Sequence, residues 1–550
     1  MLDQRTVRFG RTGKISADRF YKSFMEWVAV CYEVDKICKE DNFICPACTP
    51  HMLAVSVDGN RKHYRFKNTA RTEEQALFEG VFISKDQDVA SFVDYIHQKT
   101  KHVSGKGVCG GEWTAAREIA HKSSSKVDEE GLELAVCRHG VLLSALNMYR
   151  GEIFAYPLFM QKRLASRGNI TFFCTDVTCK YWPYLQRVCK DCPELQHLLN
   201  MRPFLSVFHA KAHDLKCEVK WSGAYQENAG STLGEEVEQC NAFLSRIAVT
   251  TKHMSKAGRA DMLTLLSLKW NKQKFQNMAS SLTQRYQKTC KALQSQLENL
   301  DSLKAQLAVA ESQLEDWVND VKEWAEATTA NQDATPQALC SKIEALVTSI
   351  KTRSQRLYKQ TDSNKGRHRI RRKIREEKRT LAALVEQYNR IAPSNRTLCM
   401  DAIIYQETPW PWQLPCNDSV DLRTKKMVFD NIMAVRRLKE EKQILVREMD
   451  QHWKFLTARA DTLKELTFLL VSDQPMKNSQ WSLTEEGSKG LLCVIRRRLW
   501  ETKTVQKHVR DSYLHIFSGS NDGSNFLLQT SCDEYYDSSS QSSDDNTCIL

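Results

Sequence analysis

MLAVSVDGNRKHYRFK, residues 52–67, decides how this chain is read. It opens as an apolar strand, Met52 to Val57, that ends on Asp58. The Asp58-Gly59-Asn60 turn and the alternating residues after it predict a hairpin with a return strand. A carboxylate at the open end of a central strand is where an α/β enzyme holds a metal ion, because the strand fixes it rigidly. Taken alone, Asp58 reads more simply as a turn cap, since Asp favours turns for its own hydrogen bonds. What changes the reading is a second carboxylate of the same kind, and a third in the right order.

The second is ITFFCTD, residues 170–176, another apolar strand ending on an aspartate, Asp176. After it, Tyr181, Trp182 and Leu185 are spaced for one face of a helix, and 204–209 reads as a further strand. The third is GEEVEQCNAFL, residues 234–244, a loop glycine opening a helix that carries Glu235 and Glu238. Between these lie a strand-like segment at 80–84, an apolar stretch at 131–140, and a strand or helix running through Met148 to Gly151-Glu152. Strand–Asp, strand–Asp, helix–Glu is the order an RNase H-like nuclease core needs. Two Mg²⁺ ions about 4 Å apart must be bridged by one carboxylate and flanked by others. Hard, oxygen-seeking Mg²⁺ selects Asp and Glu.

The chain has 550 residues and a net charge of +12. The last nineteen residues, from Cys532, hold five acidic groups and no Lys or Arg, so the body ahead of them is more basic than the whole. A basic body suits a polyanion such as nucleic acid. There is no apolar run of about 18 residues and no apolar signal-peptide core at the start, so neither a membrane span nor secretion is expected. Nineteen scattered cysteines point to free thiols and metal rather than a disulfide frame.

Cys45 and Cys48 form a CxxC, the geometry of half a zinc site; Cys189 and Cys192 form another. Cys137 and His139 are close enough to share a metal. Cys109 upstream, and His209, His213 or Cys217 downstream, would complete a tetrahedral site; the set favoured for Zn²⁺ is Cys109, Cys137, His139 and His213. On a continuous helix His209, His213 and Cys217 would share one face. Ordinary packed thiols and imidazoles are the competing reading.

Taken together, CPAC (45–48), VDGN (57–60), CRHG (137–140), Gly151-Glu152, DVTC (176–179), His209 and His213 with Cys217, and GEEVE (234–238) occur in the order of the Kyakuja–Dileera–Zisupton (KDZ) transposases. The chain resembles the Zisupton side of that family over residues 40 to 270. The resemblance implies a DDE transposase using two Mg²⁺ or Mn²⁺ ions, with Asp58 and Asp176 as catalytic, metal-binding aspartates. Glu235 and Glu238 both fit the third position; Glu238, one turn further into the helix, is favoured. It also implies DNA as partner, strand cleavage followed by transfer of the freed 3′-hydroxyl, and a nuclear protein. The family's glutamate helix usually carries a Trp where this chain has Asn241. Family members usually have longer, cysteine-rich front regions, so a truncated or host-recruited copy is implied here. A recruited DNA-binding or scaffold protein that has lost catalysis is the rival reading.

From Lys256 onward the sequence is helical. Leu293, Leu300, Leu307, Leu314 and Val321 recur every seven residues, a seam over 293–321 that would zip two protomers or pack against the helix 338–358. Residues 365–379 are the densest basic run, with Arg367, Arg369, Arg371, Arg372, Lys373 and Arg375 as candidate phosphate contacts and Ile370 and Ile374 as a docking face. The run reads as a nucleic-acid contact, a nuclear localisation signal, or both; a solvated helix face is the alternative. The expected architecture is an α/β RNase H-like core followed by a mostly α-helical, partly coiled-coil C-terminal region. Its divisions are an N-terminal helical segment with the CxxC (1–50), the core (51–270), a long-helix region with the basic run (271–400), a helical region (401–517) and an acidic Ser-rich tail expected to be disordered (518–550).

Overall fold

In a computed structural model of the chain, residues 16–67, 75–100, 126–327, 336–359, 364–405, 410–412, 420–471 and 483–517 are described. The deciding stretch forms β1 (His51–Asn60). Four more strands complete its sheet: β2 (Gly131–Cys137), β3 (Leu142–Met148), β4 (Asn169–Thr175) and β5 (Arg202–Leu205). The order is β3-β2-β1-β4-β5. β2 runs antiparallel to both β1 and β3, while β4 pairs parallel with β1 and β5 parallel with β4.

The expected hairpin does not form. β1 runs on through Gly59 and Asn60 because Glu133 and Leu132 of β2 pair across from them. The chain turns one residue later, where the Asn60 side chain accepts the Lys62 amide at 3.1 Å and caps a 3-10 turn at Arg61–His63. The return, Arg65–Phe66, pairs with Val127–Glu129 in a separate ribbon. Two other strand expectations shrink. Residues 80–84 contribute a single bridge from Ile83 to Ala145, and the strand at 204–209 stops at Leu205, yielding to a one-turn helix, Val207–Ala210.

The helices are α1 (Ala17–Ile37), α2 (Asp86–Lys99), α3 (Ala155–Ala165), α4 (Thr178–Asp191), α5 (Leu215–Trp221), α6 (Glu236–Leu244), α7 (Lys256–Gln276), α8 (Met278–Leu307), α9 (Glu311–Glu326), α10 (Pro336–Lys359), α11 (Asn364–Ile391), α12 (Leu422–Val471) and α13 (Glu485–Phe517), with short turns between. Both sheet faces are covered, which is why β2 is buried along its whole length. On one face Val55, Val57, Ala135 and Phe173 pack with α3 and α4. Met278 and Leu282 of α8, Leu445 and Met449 of α12, and Tyr513 of α13 join the same cluster. On the other face Leu132, Leu134 and Val136 meet Val237, Cys240 and Leu244 of α6 and Leu263 of α7. Helices from the C-terminal half thus finish the core that the sheet begins.

The seven-residue seam is not one helix. α8 ends at Leu307, Ala308 takes a left-handed conformation (φ 49°), and α9 starts at Glu311. Leu300, Leu314, Val318 and Val321 are buried against Val428, Phe429, Ile432 and Met433 of α12. The seam is therefore covered from within the chain, by the helix from 422 rather than by 338–358, and it is not left open for a second protomer. α10 packs with α11 instead, through Ile343, Val347, Leu381 and Val385. Among the described residues no helix is long and apolar enough to cross a membrane.

Candidate active site and metal centres

Parallel pairing of β1 with β4 sets Ser56 beside Cys174, so two residues further on Asp58 and Asp176 leave neighbouring strand ends. Strand alternation puts both on the face of Ala54, Phe172 and Cys174, the face that α6 covers. Gly234 makes that cover close: its φ of 76° is in the left-handed region, and a Cβ there would stand 2.8 Å from the Phe204 ring. The helix that follows brings Glu236 to 3.2 Å from Ser56 Oγ and Asn241 over Asp58.

Asn241 Nδ2 donates to Asp58 Oδ2 at 2.8 Å, and Asn60 Nδ2 donates to Ser245 Oγ at 3.1 Å behind it. Burial, followed by the charges of Asp176, Glu238, Glu133 and Glu152, raises the Asp58 carboxyl well above its ordinary pKa. Ser206 Oγ donates to Asp176 Oδ1 at 3.0 Å, while His209 Nε2 faces Asp176 Oδ2 at 3.1 Å and Glu238 Oε1 at 4.0 Å. Burial raises the Asp176 carboxyl too; the Ser206 hydrogen bond and the charges of Arg369 and His213 work against that.

Asp176, His209 and Glu238 offer ligand atoms that all lie within 4.8 Å of one another, and Asp58 stands beside this group. The protons decide what fits between them. Ser206 has one hydroxyl proton and gives it to Asp176, so His209 Nδ1, at 3.0 Å, donates to Ser206 Oγ. His209 Nε2 is then either protonated or turns a lone pair toward carboxylate oxygens, which is where a divalent cation fits. Glu235, just ahead of α6, is engaged elsewhere: its carboxylate accepts the Phe208 amide, and burial pushes it up to about 7. Glu238, its side chain 52% exposed, is the glutamate that reaches the group.

Sequence spacing makes His209 a candidate only for a zinc site, either completing that of Cys137 and His139 or sharing a helix face with His213 and Cys217. Its place at Asp176 follows from β5 running parallel to β4, which sends its C-terminal end to the same rim. Glu133 and Glu152, whose charges reach Asp58, are likewise not picked out by the strand–Asp pattern; the Gly151-Glu152 motif was the available signal.

Residues 51–271 match the Kyakuja-Dileera-Zisupton transposase family model. Over that span the chain is similar to these transposases. The KDZ span starts at β1, ends inside α7, and contains Asp58, Asp176, His209, Glu235 and Glu238. No curated protein and no solved structure matches the chain.

A Cys/His cluster straddles the front edge of the KDZ span. Cys45, Cys48, Cys137 and His139 bring their ligand atoms within 4.8 Å of one another. The CPAC knuckle lies just before β1, and Cys137 ends the neighbouring β2, so strand pairing closes the set. Cys45 Sγ is 3.5 Å from His139 Nδ1, and Glu448 Oε2 of α12 is 3.2 Å from His139 Nε2. Three thiols and an imidazole suit tetrahedral Zn²⁺, and a carboxylate on the far imidazole nitrogen is the usual outer partner. The ligand set expected from sequence is corrected accordingly. Cys109 lies outside the described residues, and His213 is elsewhere, with Cys179 and Cys217. Cys45 and Cys48 take those two places because β1 and β2 are adjacent. Cys189 and Cys192 do not join; Cys189 Sγ donates to Leu195 O at 3.4 Å. Nor do His209, His213 and Cys217 share a helix face, since the turn from Val207 stops at Ala210 and α5 begins at Leu215.

The basic run docks beside this carboxylate group, the Arg369 charge reaching Asp176. Ile370 is buried and Ile374 packs against the α10–α11 core, as their spacing predicted. Arg371 and Arg375 are exposed. Arg372 pairs with Glu376 at 2.9 Å and Lys373 with Asp214 at 2.6 Å, while Arg367 donates to Leu357 O at 3.4 Å. On α10, buried Arg353 donates to the carbonyls of Lys211 and His213, and Arg356 pairs with Glu218 at 2.6 Å. The α10–α11 pair is thereby tied to the segment just after His209.

Proposed function

We propose that residues 51–271 form an RNase H-like, DDE-type transposase core, nearest the Zisupton members, that cuts DNA and transfers the freed 3′-hydroxyl into a target strand. The observation that carries this is the meeting of Asp58 and Asp176 at adjoining strand ends under a helix that supplies Glu238. The oxygen donors suit Mg²⁺ or Mn²⁺, and an imidazole beside them adds weight to Mn²⁺. When bound, such ions polarise the phosphate and generate the attacking hydroxide.

The chain's own groups prepare that chemistry. Asn241 holds Asp58 in one orientation, and Ser206 holds Asp176. Glu238 closes the group from the helix, with His209 between it and Asp176. The Cys45, Cys48, Cys137 and His139 cluster holds a structural Zn²⁺ that fixes the entry to β1. Arg369, whose charge reaches Asp176, and exposed Arg371 and Arg375 hold DNA phosphates near the reacting carboxylates. The same run serves nuclear entry.

The test is nicking of supercoiled plasmid by the purified full chain with Mn²⁺. Asp58→Asn, Asp176→Asn and Glu238→Gln should each abolish it, and Glu235→Gln should leave it measurable. A wild-type protein that binds DNA but never nicks it, and binds no Mn²⁺, would instead be a recruited DNA-binding derivative.

A further inference from the structure

We propose that Cys179, His213 and Cys217 hold a second zinc ion directly behind the carboxylate of Asp176. The three ligand atoms lie within 4.8 Å of one another, and Cys179 Sγ is 3.4 Å from His213 Nδ1. With zinc–sulfur bonds of about 2.3 Å and zinc–nitrogen bonds of about 2.0 Å, tetrahedral ligands sit roughly 3.5 Å apart. The observed spacing meets that condition.

The far side of the imidazole strengthens the assignment. His213 Nε2 is 3.1 Å from the backbone oxygen of Asp176. A carbonyl can only accept, so Nε2 carries the proton and Nδ1 turns its lone pair to the thiols. A ligating histidine is oriented in this way, one nitrogen on the metal and the other donating to a carbonyl or carboxylate. Cys179 and His213 are buried and Cys217 is half-buried. With three protein ligands, a water would complete the tetrahedron.

The ligands come from three separate pieces of chain: the first turn of α4, the turn before α5, and α5 itself. An ion there would cross-link the strand end that carries Asp176 to the turn that follows His209. Arg353 already grips that turn through the carbonyls of Lys211 and His213. This zinc is a positioning device for Asp176 and His209, separate from the cluster at Cys45. It stands apart from the cleavage proposal, because metal content and not activity decides it.

The experiment uses the full chain purified in reducing, zinc-containing buffer, with zinc per chain measured by atomic emission after gel filtration. Wild type should carry an equivalent that Cys217→Ser loses and Cys48→Ser keeps, and Cys48→Ser should lose a different one. Cobalt(II) titration of the metal-stripped wild type gives a reading that needs no variant to fold. Two tetrahedral thiolate-ligated equivalents support the proposal. Zinc content unchanged by Cys217→Ser, or a single equivalent that only Cys48→Ser removes, would overturn it and leave a plain thiol–imidazole hydrogen bond.

Discussion

Lys373 and Asp214 form an ion pair of 2.6 Å across 159 positions of sequence. It anchors the basic helix α11 to the turn between His213 and α5, so a run that periodicity alone would leave solvated lies beside Asp176. It also engages Lys373, one of the candidate phosphate contacts.

Arg371 and Arg375 are exposed residues of that run and, beside Arg369, are expected to meet DNA. Changing both to Ala should flatten the slope of log affinity against log salt by about 0.9 for each phosphate no longer neutralised, close to two in all. Any preference among DNA sequences should persist. Anisotropy titrations at several salt concentrations measure this, and an unchanged slope would show that α11 presents only a solvated face. Lys373→Ala should act on stability instead, by about 1 kcal/mol or less for a partly exposed pair.

Asn241 stands where the family resemblance implies a Trp, and it donates to Asp58 at 2.8 Å. Partners of metal-binding carboxylates typically matter about tenfold to a hundredfold for affinity. Asn241→Ala should weaken Mn²⁺ binding, read by electron paramagnetic resonance, roughly within that range. Equal affinity in variant and wild type would mean Asp58 needs no such support.

Arg356 and Glu218 form a buried pair at 2.6 Å. Against burial, which raises it, Arg356 holds the Glu218 carboxyl down at about 2. Arg356→Ala leaves that carboxylate buried without its counter-charge, at a cost of roughly 3–5 kcal/mol. Replacing both by well-packed apolar residues should cost less. Urea unfolding of the full chain separates the two outcomes.

His63 is fully buried, with no partner on either ring nitrogen, and burial followed by the charge of Arg259 pushes it down to about 4. Below about pH 6.5 the unfolded chain takes up a proton that the folded chain refuses, so stability falls from there to about pH 4. The loss from this residue reaches about 3 kcal/mol at most. His63→Phe should flatten the fall between about pH 7 and pH 5 in urea midpoints. A variant with the wild-type pH dependence would assign the effect to other groups.

Several features were legible in the residues themselves. Apolar runs ending on Asp58 and Asp176, the helical spacing of Tyr181, Trp182 and Leu185, and the long helices after Lys256 depend on near neighbours in sequence. Local chemistry is enough to specify them. The strand–strand–helix order around them carried the expectation that Asp58, Asp176 and a glutamate meet.

Tertiary structure decided the rest, because each remaining choice was between partners distant in sequence. Whether β1 turned at Gly59 depended on β2 arriving to pair with it. Glu238 rather than Glu235 faces Asp176 because Phe208, brought by β5, occupies Glu235. The leucine seam found its cover in α12, and Cys137 and His139 found Cys45 and Cys48 across a strand pair. A sequence states what each residue can bond, but burial and long-range pairing choose among the candidates. Apolar surface costs free energy while water touches it and charge costs it once buried unpaired, so both are settled only as the chain closes.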